Sequence, residues 1–389
     1  MEAPENKILV ETEDLGDLKV AIIHYWMVTW RGGEKVIASL LKLFPKADIY
    51  TLFYDERVCG SHLEGHRVFA STLNKPVLKK HYQKLFPLFP FGIKSLKLRE
   101  KYDLIISSES GPAKGIENSY HSPHLCYIHT PMRYCWGYTE PYLLSLPGWS
   151  RGLTRYWLKR LKEWDRSTID RVDAYVANSK NVAERVKKYY GKEAGVCYPP
   201  IEADWFEDEL VKSKGTHYLS FGAITPYKNI GLLVEAFKKT NSQLIVIGEG
   251  SEKNKLKALA PPNVRFLGKL PFEEIKSFIR DSKALLFPGE EDFGMVPLEV
   301  MAMGIPVIAL KKGGALETVV ENDNNPERSS GIFFDEPNCE SLLKALTRFE
   351  TLEHHFDPQW IRSHAKKFSE DVFLKNMSER IIKLLRSKR

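Results

Sequence analysis

The chain has 389 residues, more than one ordinary hydrophobic core can hold, which predicts two domains of roughly 200 residues each. Its 43% hydrophobic and 28% charged residues exclude an intrinsically disordered chain, and 57 basic against 50 acidic residues give a net charge of +7. The five cysteines include no pair at C-x-x-C spacing, which excludes a disulfide framework and a zinc knuckle. No secretory signal and no run of about twenty apolar residues is found. We therefore expect a cytoplasmic protein.

The first half of the chain alternates apolar strand patterns with amphipathic helix patterns. Residues 1–17 are acidic and match no regular pattern, so we treat them as an N-terminal extension and expect the fold to begin at Leu18. Strands are predicted at residues 19–24, 47–53, 102–108, 124–129 and 173–178, and helices at 34–44 and from the last of these strands to residue 190. A Pro-Pro pair at residues 199–200 then interrupts the pattern.

The second half repeats this alternation. Strands are predicted at residues 217–222, 243–248, 263–267, 284–288 and 306–309, and helices at 229–240, 251–258, 272–281, 297–303, 340–349, 357–367 and 369–386. We therefore predict an α/β protein of two doubly wound, Rossmann-like domains facing each other across a cleft, at residues 18–205 and 206–370, with a hinge near 202–214. Residues 371–389 are expected to form a helix that returns to the first domain. Periodicity alone also allows one large sheet or a barrel.

The most informative stretch lies after the predicted strand at 284–288 and reads Gly-Glu-Glu-Asp-Phe-Gly-Met-Val-Pro-Leu-Glu over residues 289–299. Gly294 lies in the loop, and Pro297 is placed in a first helical turn. Free amides at a helix start bind phosphate well, and those of Met295 and Val296 are the available donors. Glu291 and Glu299 lie on either side of this start, so we expect Glu299 to accept from ribose hydroxyls and Glu291 from a sugar.

The spacing from Glu291 to Glu299 resembles the E-x7-E pattern of retaining, GT-B-fold glycosyltransferases of the family 4 type. Two further segments, Gly-Gly-Ala-Leu-Glu-Thr from residue 313 and Gly-Ile-Phe-Phe from residue 331, resemble downstream parts of the same family. The resemblance extends from Lys19 to the C-terminus and is greatest to bacterial mannosyltransferases that build O-antigen-like polysaccharides. It implies a GT-B fold and transfer of a hexose, with mannose from GDP-mannose preferred and a UDP-sugar as the alternative.

The resemblance also assigns roles to three loops that follow strands. Lys228, in Phe-Gly-Ala-Ile-Thr-Pro-Tyr-Lys, would neutralise the leaving diphosphate, although Ala223 stands where many members have an arginine. His129, in His-Thr-Pro-Met-Arg-Tyr, would contact the donor sugar, and the glycines after Arg31 would let the backbone approach the phosphates. Arg31 or Arg133 could supply the missing positive charge.

The full predicted site can be stated by role. The catalytic residues are His129, Lys228 and Glu291. The nucleotide-sugar-binding residues are Gly32, Gly33, Gly222, Lys228, Gly248, Lys269, Leu270, Glu291, Phe293, Gly294, Met295, Val296 and Glu299. Acceptor or charge support comes from Arg31, Arg133 and Tyr134. We expect no metal and no cofactor, because no D-x-D pair is present and the family is generally metal-independent. The implied reaction is front-side displacement, in which the leaving phosphate oxygen helps to deprotonate the acceptor.

Two basic and aromatic stretches, residues 75–101 and 151–166, indicate where the protein would meet a membrane. They favour the inner leaflet of the cytoplasmic membrane and a glycan or polyprenyl-pyrophosphate-linked glycan acceptor, as in lipopolysaccharide synthesis, and no nucleic acid is expected. Ordinary amphipathic core helices explain the same composition equally well.

Two other classes of protein are open to test. A dehydrogenase would need a glycine fingerprint after the first strand, and Arg-Gly-Gly at residues 31–33 is not G-x-G-x-x-G. A nucleic-acid- or membrane-binding protein with an inactive transferase fold is disfavoured by the presence of Lys228, Glu291 and Glu299.

Overall fold

The computed structural model describes residues 12–210 and 215–388. It contains two compact units: unit 1 runs to Pro200 and resumes at Asp371, and unit 2 is Ile201–Glu370. The boundary lies before the predicted one at residue 205, because the Ile201 N–H donates to the Phe368 carbonyl at 2.9 Å and Trp205 packs edge-on against Phe272. Part of the predicted extension and of the predicted hinge, residues 1–11 and 211–214, lies outside the described residues.

Unit 1 is built on a parallel sheet of seven strands in the order β3-β2-β1-β4-β5-β6-β7. The strands are β1 (Val20–His24), β2 (Asp48–Thr51), β3 (Val68–Ala70), β4 (Leu104–Glu109), β5 (His124–Ile128), β6 (Ala174–Ala177) and β7 (Ala194–Val196). The helices are α1 (Gly32–Leu43), α2 (Glu56–Cys59), α3 (Pro76–Lys79), α4 (Phe89–Ser95), α5 (Thr139–Leu144), α6 (Gly148–Ser167) and α7 (Lys180–Tyr190). All residues of β1, β4 and β5 are buried, as expected of central parallel strands covered on both faces.

Unit 2 repeats the plan with six parallel strands in the order β10-β9-β8-β11-β12-β13. The strands are β8 (His217–Phe221), β9 (Leu244–Ile247), β10 (Val264–Gly268), β11 (Ser282–Phe287), β12 (Val307–Leu310) and β13 (Gly331–Phe334). The helices are α8 (Ile230–Phe237), α9 (Lys253–Leu259), α10 (Phe272–Arg280), α11 (Met295–Ala302), α12 (Ala315–Thr318), α13 (Cys339–Leu352) and α14 (Pro358–Ala365). Two doubly wound α/β units are therefore confirmed.

Short 3₁₀ helices connect many of these elements. They lie at Thr12–Asp17, Gly60–His62, Tyr82–Leu88, Ala113–Gly115, Ile169–Arg171, Ala203–Trp205, Pro226–Lys228, Pro326–Arg328, Glu353–His355 and Lys366–Phe368. Leu15, in the first of them, is 1% exposed and belongs to the core of unit 1, so the expectation that the fold begins at Leu18 needs correction. A single apolar side chain in an acidic segment forms no repeating pattern, so the burial of Leu15 could not be predicted from the sequence.

The last helix, α15 (Glu370–Ser387), packs on unit 1. Phe373, Met377 and Ile381 are at most 1% exposed and join the core cluster on the sheet face that α1 also covers. The Phe373 ring meets the Tyr127 ring edge-on, with centroids 5.9 Å apart. The side chains at 373, 377 and 381 recur every four residues, which places them on one helix face.

Helix α6 covers the opposite face of the same sheet and is anchored by a buried ion pair. The Lys114 ammonium contacts the Asp165 carboxylate and donates to Thr168 Oγ1 at 3.0 Å, and both charged side chains are fully buried. The other Asp165 oxygen accepts from Trp136 Nε1 at 2.7 Å. The charge pair and its hydrogen bonds compensate for burying both ions. None of the described helices has the length and apolar character needed to cross a bilayer.

Candidate functional site

The predicted phosphate and sugar residues of unit 2 lie at the carboxyl edge of its sheet, where β8 and β11 are neighbours. The connections from these two strands run to opposite sides, so a crevice opens between their ends, which is where doubly wound sheets bind ligands. A small pocket at this point is lined by Gly222, Ala223, Lys228, Phe287 and Glu291. Ala223 is thus located beside Lys228 and Glu291.

Lys228 and Glu291 form an ion pair in this pocket, with side chains 16% and 17% exposed. Lys228 ends the 3₁₀ helix Pro226–Lys228, and Glu291 lies in the loop between β11 and α11. Gly289 permits this approach, because a Cβ there would lie 2.9 Å from the Lys228 Cα and from the Tyr227 carbonyl oxygen. The Lys228 ammonium also lies 5.9 Å from the centre of the Phe287 ring. A cation and a carboxylate are thereby held side by side, partly shielded from water.

Two glycines let the ends of β8 and β9 come close together. Gly222 and Gly248 have φ of 129° and 141°, conformations that residues with a Cβ rarely adopt. A Cβ on Gly248 would lie 1.8 Å from the Gly222 carbonyl oxygen, so a larger residue cannot fit. The Gly248 N–H donates to the Gly268 carbonyl at 2.7 Å, which brings the end of β10 to the same edge.

Lys269 and Leu270 follow β10 directly, the first exposed and the second half-buried. A side-chain hydrogen bond from Lys253 and one from the backbone of Lys269 lower the pKa of Glu249. Glu249 thereby links the loops after β9 and β10.

Helix α11 begins beside the ion pair. Gly294, with φ of 87°, is its N-cap, and Met295 and Val296 are its first two residues. Their amides precede the first turn of hydrogen bonding, which makes them available to an anion. The helix begins two residues before the predicted start at Pro297.

A Gly-Gly turn holds the loop in front of α11. The Gly314 N–H donates to the Glu291 carbonyl at 2.8 Å, and a Cβ on Gly314 would lie 2.2 Å from the Phe293 carbonyl oxygen. The Phe293 side chain is only 3% exposed. Glu299 is 7% exposed and lies four residues after Met295, on the same face of α11. The two glutamates of the E-x7-E pattern therefore flank the start of one helix, as predicted.

The predicted residues of unit 1 gather at the carboxyl ends of β1, β4 and β5. The His129 Nε2 lies 2.8 Å from Ser108 Oγ, and the Ser108 Oγ lies 3.0 Å from His24 Nδ1. Burial lowers the pKa of His129 to about 4 and that of His24 well below its usual value, so both rings are neutral at pH 7. Gly33 packs against them, since a Cβ there would lie 3.4 Å from His24 Cε1 and 3.8 Å from His129 Nε2.

The glycine loop before α1 is fixed by Glu34, a buried residue that was not predicted from the sequence to belong to the site. Its carboxylate accepts from the Arg31 backbone N–H at 3.1 Å and from Thr29 Oγ1 at 3.0 Å, and burial raises its pKa. Gly32 and Gly33 are the first two residues of α1, which makes Glu34 the third. A glutamate at this position is a known capping signal, and this signal could have identified Glu34 from the sequence.

The remaining predicted residues of unit 1 are the three that were expected to support the acceptor or the charge: Arg31, Arg133 and Tyr134. Arg31 is exposed and Arg133 is half-buried. The Tyr134 hydroxyl donates to the Met132 sulfur at 3.4 Å, and its ring contacts Phe86. In the part of the chain that the structure describes, no cluster of three or more His, Cys, Asp or Glu side chains could hold a metal ion.

Two family models match the chain in tandem: "Glycosyltransferase Family 4" over residues 30–205 and "Glycosyl transferases group 1" over residues 202–368. Together with the two doubly wound units, these matches define a glycosyltransferase. The chain belongs to the family 4 type of GT-B-fold glycosyltransferases, as the sequence motifs predicted.

Similarity to individual proteins is distant but extensive. An uncharacterised glycosyltransferase of Methanocaldococcus jannaschii is 28% identical over 53% of this chain and 61% of that protein. The α-1,3/1,6-mannosyltransferase ALG2 of Debaryomyces hansenii is 24% identical over 82% of this chain and 80% of that protein. The O-antigen chain mannosyltransferase RfbU of Salmonella typhimurium is 26% identical over 49% of this chain and 58% of that protein. The chain therefore spans about three fifths of the first and third of these relatives.

Two further proteins differ in the nucleotide that their names give. A GDP-mannose-dependent phosphatidylinositol monomannoside mannosyltransferase of Corynebacterium glutamicum is 31% identical over 25% of this chain and 29% of that protein. The crystal structure of Anabaena HepE in complex with UDP superposes with a TM-score of 0.70, at 17% identity over 94% of this chain and 99% of that one. The second similarity is one of fold.

Proposed function

We propose that this glycosyltransferase moves mannose from GDP-mannose to a glycan or lipid-linked glycan acceptor, with retention of configuration at the anomeric carbon. The proposal is supported by the mannosyltransferases among its relatives, one of which is named for GDP-mannose. The observation that carries it is the pairing of Lys228 with Glu291 beside the free amides of α11. This arrangement offers donors to a diphosphate and an acceptor to sugar hydroxyls at one place.

In the proposed mechanism, the residues of unit 2 bind the activated sugar. The amides of Met295 and Val296 and the ammonium of Lys228 hold the diphosphate, which develops negative charge as the bond to the sugar breaks. Glu299 accepts from the ribose hydroxyls and Glu291 from the mannose hydroxyls. The amides of α11 are fixed by the helix before the donor arrives, so they need little reorganisation in the transition state.

The chemical step is a front-side displacement. The bond from the anomeric carbon to the leaving phosphate oxygen breaks, and the acceptor oxygen bonds to the same face of that carbon. The proton of the acceptor hydroxyl passes to the leaving phosphate oxygen. His129 donates a hydrogen bond to a hydroxyl of the transferred sugar, and as a neutral imidazole it has one N–H for this purpose.

A UDP-sugar is the second candidate donor, because HepE, a protein of the same fold, binds UDP. A thermal-shift screen with GDP-mannose, GDP-glucose, UDP-glucose and ADP-glucose separates the candidates, since the bound donor raises the melting temperature by mass action. We expect the largest shift with GDP-mannose and an α-linked product in a transfer assay followed by NMR of the anomeric proton. A larger shift with UDP-glucose would identify a UDP-sugar as the donor. A β-linked product would contradict retention of configuration at the anomeric carbon.

We further propose that unit 1 contacts the anionic inner leaflet of the cytoplasmic membrane through α6. Its apolar side chains Trp149, Leu153 and Tyr156 are 87%, 64% and 54% exposed. Basic side chains on the same helix, including Arg155 and Lys159, suit phosphate headgroups. The other predicted stretch, residues 75–101, is a weaker candidate, because several of its apolar side chains form core: Phe86, Phe89, Ile93 and Leu96.

Flotation with vesicles of phosphatidylglycerol and phosphatidylcholine tests this surface. The double variant Trp149→Ser/Leu153→Ser should lose most of the bound fraction, since each side chain buries apolar area in the interface. Leu259→Ser, a matched change at a 52% exposed leucine in unit 2, should bind as the unchanged protein does. Equal binding of all three proteins would exclude α6 as the contact.

A further inference from the structure

Three polar side chains form a hydrogen-bonded row at the carboxyl ends of the central strands β1, β4 and β5 of unit 1. His24 is paired in register with Ser108 on the neighbouring strand, and Ser108 is paired with Tyr127, two residues before His129. The row therefore crosses β1, β4 and the end of β5. His24 and Ser108 are both 0% exposed, and of the three residues only His129 was expected from the sequence to have a role.

The chemistry of the row restricts where its hydrogens lie. The Ser108 hydroxyl has one hydrogen and two lone pairs, and among the described residues its Oγ is hydrogen-bonded only to the two histidines. If it accepted from both, its own buried hydrogen would have no acceptor, so it donates to one histidine and accepts from the other. Both imidazoles are neutral, because burial lowers the pKa of each. Only two arrangements satisfy both hydrogen bonds and also pair the Ser108 hydrogen, and they differ in which nitrogen of each ring is protonated.

The surroundings of His24 Nε2, the ring nitrogen that does not contact Ser108, distinguish these two arrangements. Within the described part of the chain, His24 Nε2 is buried and has no hydrogen-bond partner. If it were protonated, a buried N–H would be left unpaired, and such orphan donors are rarer in proteins than unfilled acceptors. His24 therefore carries its hydrogen on Nδ1 and donates to Ser108, and the Ser108 hydroxyl donates to His129 Nε2.

We propose that His24 and Ser108 are positioning residues that hold His129 as the tautomer protonated on Nδ1, so that this N–H is presented to a hydroxyl oxygen of the transferred sugar. The inference about catalysis rests on the proposed function, whereas the tautomer itself does not. Gly33 leaves room for the row, since a Cβ there would lie 3.4 Å from His24 Cε1.

NMR of protein labelled with ¹⁵N-histidine reads the tautomer directly, without donor or acceptor. The imidazole pattern of His129 is assigned by its loss in His129→Asn. We expect the pattern of an Nδ1–H imidazole in the unchanged protein and a mixture of tautomers in Ser108→Ala. An Nε2–H pattern in the unchanged protein would overturn the proposal, even if Ser108→Ala failed to fold.

Kinetics test the consequence for transfer, and the same strand supplies a matched control. Ser107 Oγ bonds His124 Nε2 at 2.9 Å, a second buried serine–histidine pair, on the opposite face of the sheet. We expect Ser108→Ala to lower kcat about tenfold with little change in the donor KM, since one hydrogen bond to the reacting sugar is misdirected. Ser108→Thr should restore much of the kcat, and Ser107→Ala should keep it.

Equal kcat values in Ser108→Ala and Ser107→Ala would overturn the positioning role. Failure of the proposed function gives a different result, because the unchanged protein would then not transfer mannose from GDP-mannose while the tautomer measurement would still stand.

Discussion

The ammonium of Lys228 and the carboxylate of Glu291 contact each other at the carboxyl edge of the second sheet, where a diphosphate and a sugar are proposed to bind. Each is therefore occupied by the other before the donor arrives. Binding must separate them, because the phosphate needs the cation and the sugar hydroxyls need the carboxylate.

Glu291→Gln is expected to strengthen binding of GDP alone and to weaken mannose transfer. Without the carboxylate, the ammonium meets the diphosphate unpaired, and the loss of a partly exposed ion pair predicts a Kd about threefold lower. Calorimetry with GDP and steady-state kinetics with GDP-mannose measure the two effects. Glu340→Gln, which breaks the exposed pair with Lys344, is the control. An unchanged or raised Kd for GDP in Glu291→Gln would show that Glu291 and the diphosphate do not compete for Lys228.

Glu299→Ala is expected to abolish the melting-temperature shift produced by GDP-mannose. The glutamate lies on the face of α11 that carries Met295, and alanine removes the carboxylate that is proposed to accept from the ribose hydroxyls. Glu273→Ala, at an exposed position on α10, should keep the full shift. If the Glu299→Ala protein binds GDP-mannose with unchanged affinity, the nucleotide lies elsewhere.

Gly248→Ala should destabilise the protein by about 3 kcal/mol, because its Cβ would overlap the Gly222 carbonyl oxygen in a strained backbone conformation. Gly152→Ala provides the opposite case, since Gly152 is exposed within α6 and a Cβ there has nothing within 4 Å. This change should stabilise the protein by about 0.5–1 kcal/mol. Urea unfolding measures both, and a neutral Gly248→Ala would contradict the close approach of the two loops.

Lys114→Met is expected to cost about 3–5 kcal/mol of unfolding free energy, because it leaves the fully buried Asp165 carboxylate without its counter-ion. Lys114→Met/Asp165→Asn should be more stable than the single variant, since no uncompensated charge remains and the Trp136 N–H keeps an acceptor. Lys19→Met, which removes an exposed bridge to Glu100, serves as the surface control and should leave the urea midpoint unchanged. A double variant no better than Lys114→Met would refute the charge argument.

Unit 1 should lose stability as the pH falls from about 6.5 towards 4. Burial lowers the pKa of His124 and of His129 to about 4, whereas both bind protons near pH 6.5 in the unfolded chain. The unfolded state then binds more protons, so the stabilisation present above pH 6.5 is lost on acidification. Urea midpoints between pH 7.5 and 4.5 should fall, with a shallower fall in His124→Asn and no change of slope in the surface variant His354→Gln. Equal slopes in the unchanged protein and in His124→Asn would exclude a neutral buried His124, since the raised pKa of buried Glu109 contributes in the opposite direction in both proteins alike.

Much of the fold could be predicted from the sequence, because central parallel strands are continuous apolar runs between helix patterns. The three strands that were missed are all edge strands: β3 and β7 have three residues each, and β13 has four. Short edge strands lack a long apolar run. Their extended conformation depends on pairing with the neighbouring strand more than on the local sequence, so the sequence does not predict them. Leu15 was missed for a similar reason, since a single buried leucine has no period.

The candidate site was predicted best where its residues belong to one continuous segment of the chain. The loop and helix from Glu291 to Glu299 form a continuous motif, and the structure places them at one strand end. His24, Ser108 and Glu34 were missed because their roles depend on partners brought together by strand pairing or by a cap. Ser108 lies 84 residues from His24 in the chain, a separation that no local pattern can bridge.

The packing of α15 on unit 1 has a consequence for synthesis of the protein. Phe373, Met377 and Ile381 complete a core whose other residues begin at Leu15, so the ribosome delivers one wall of that core last. Unit 2, contained within Ile201–Glu370, is available to fold while the earlier half still lacks this wall. The half that is translated first therefore cannot complete its core until the helix that follows unit 2 has been synthesised.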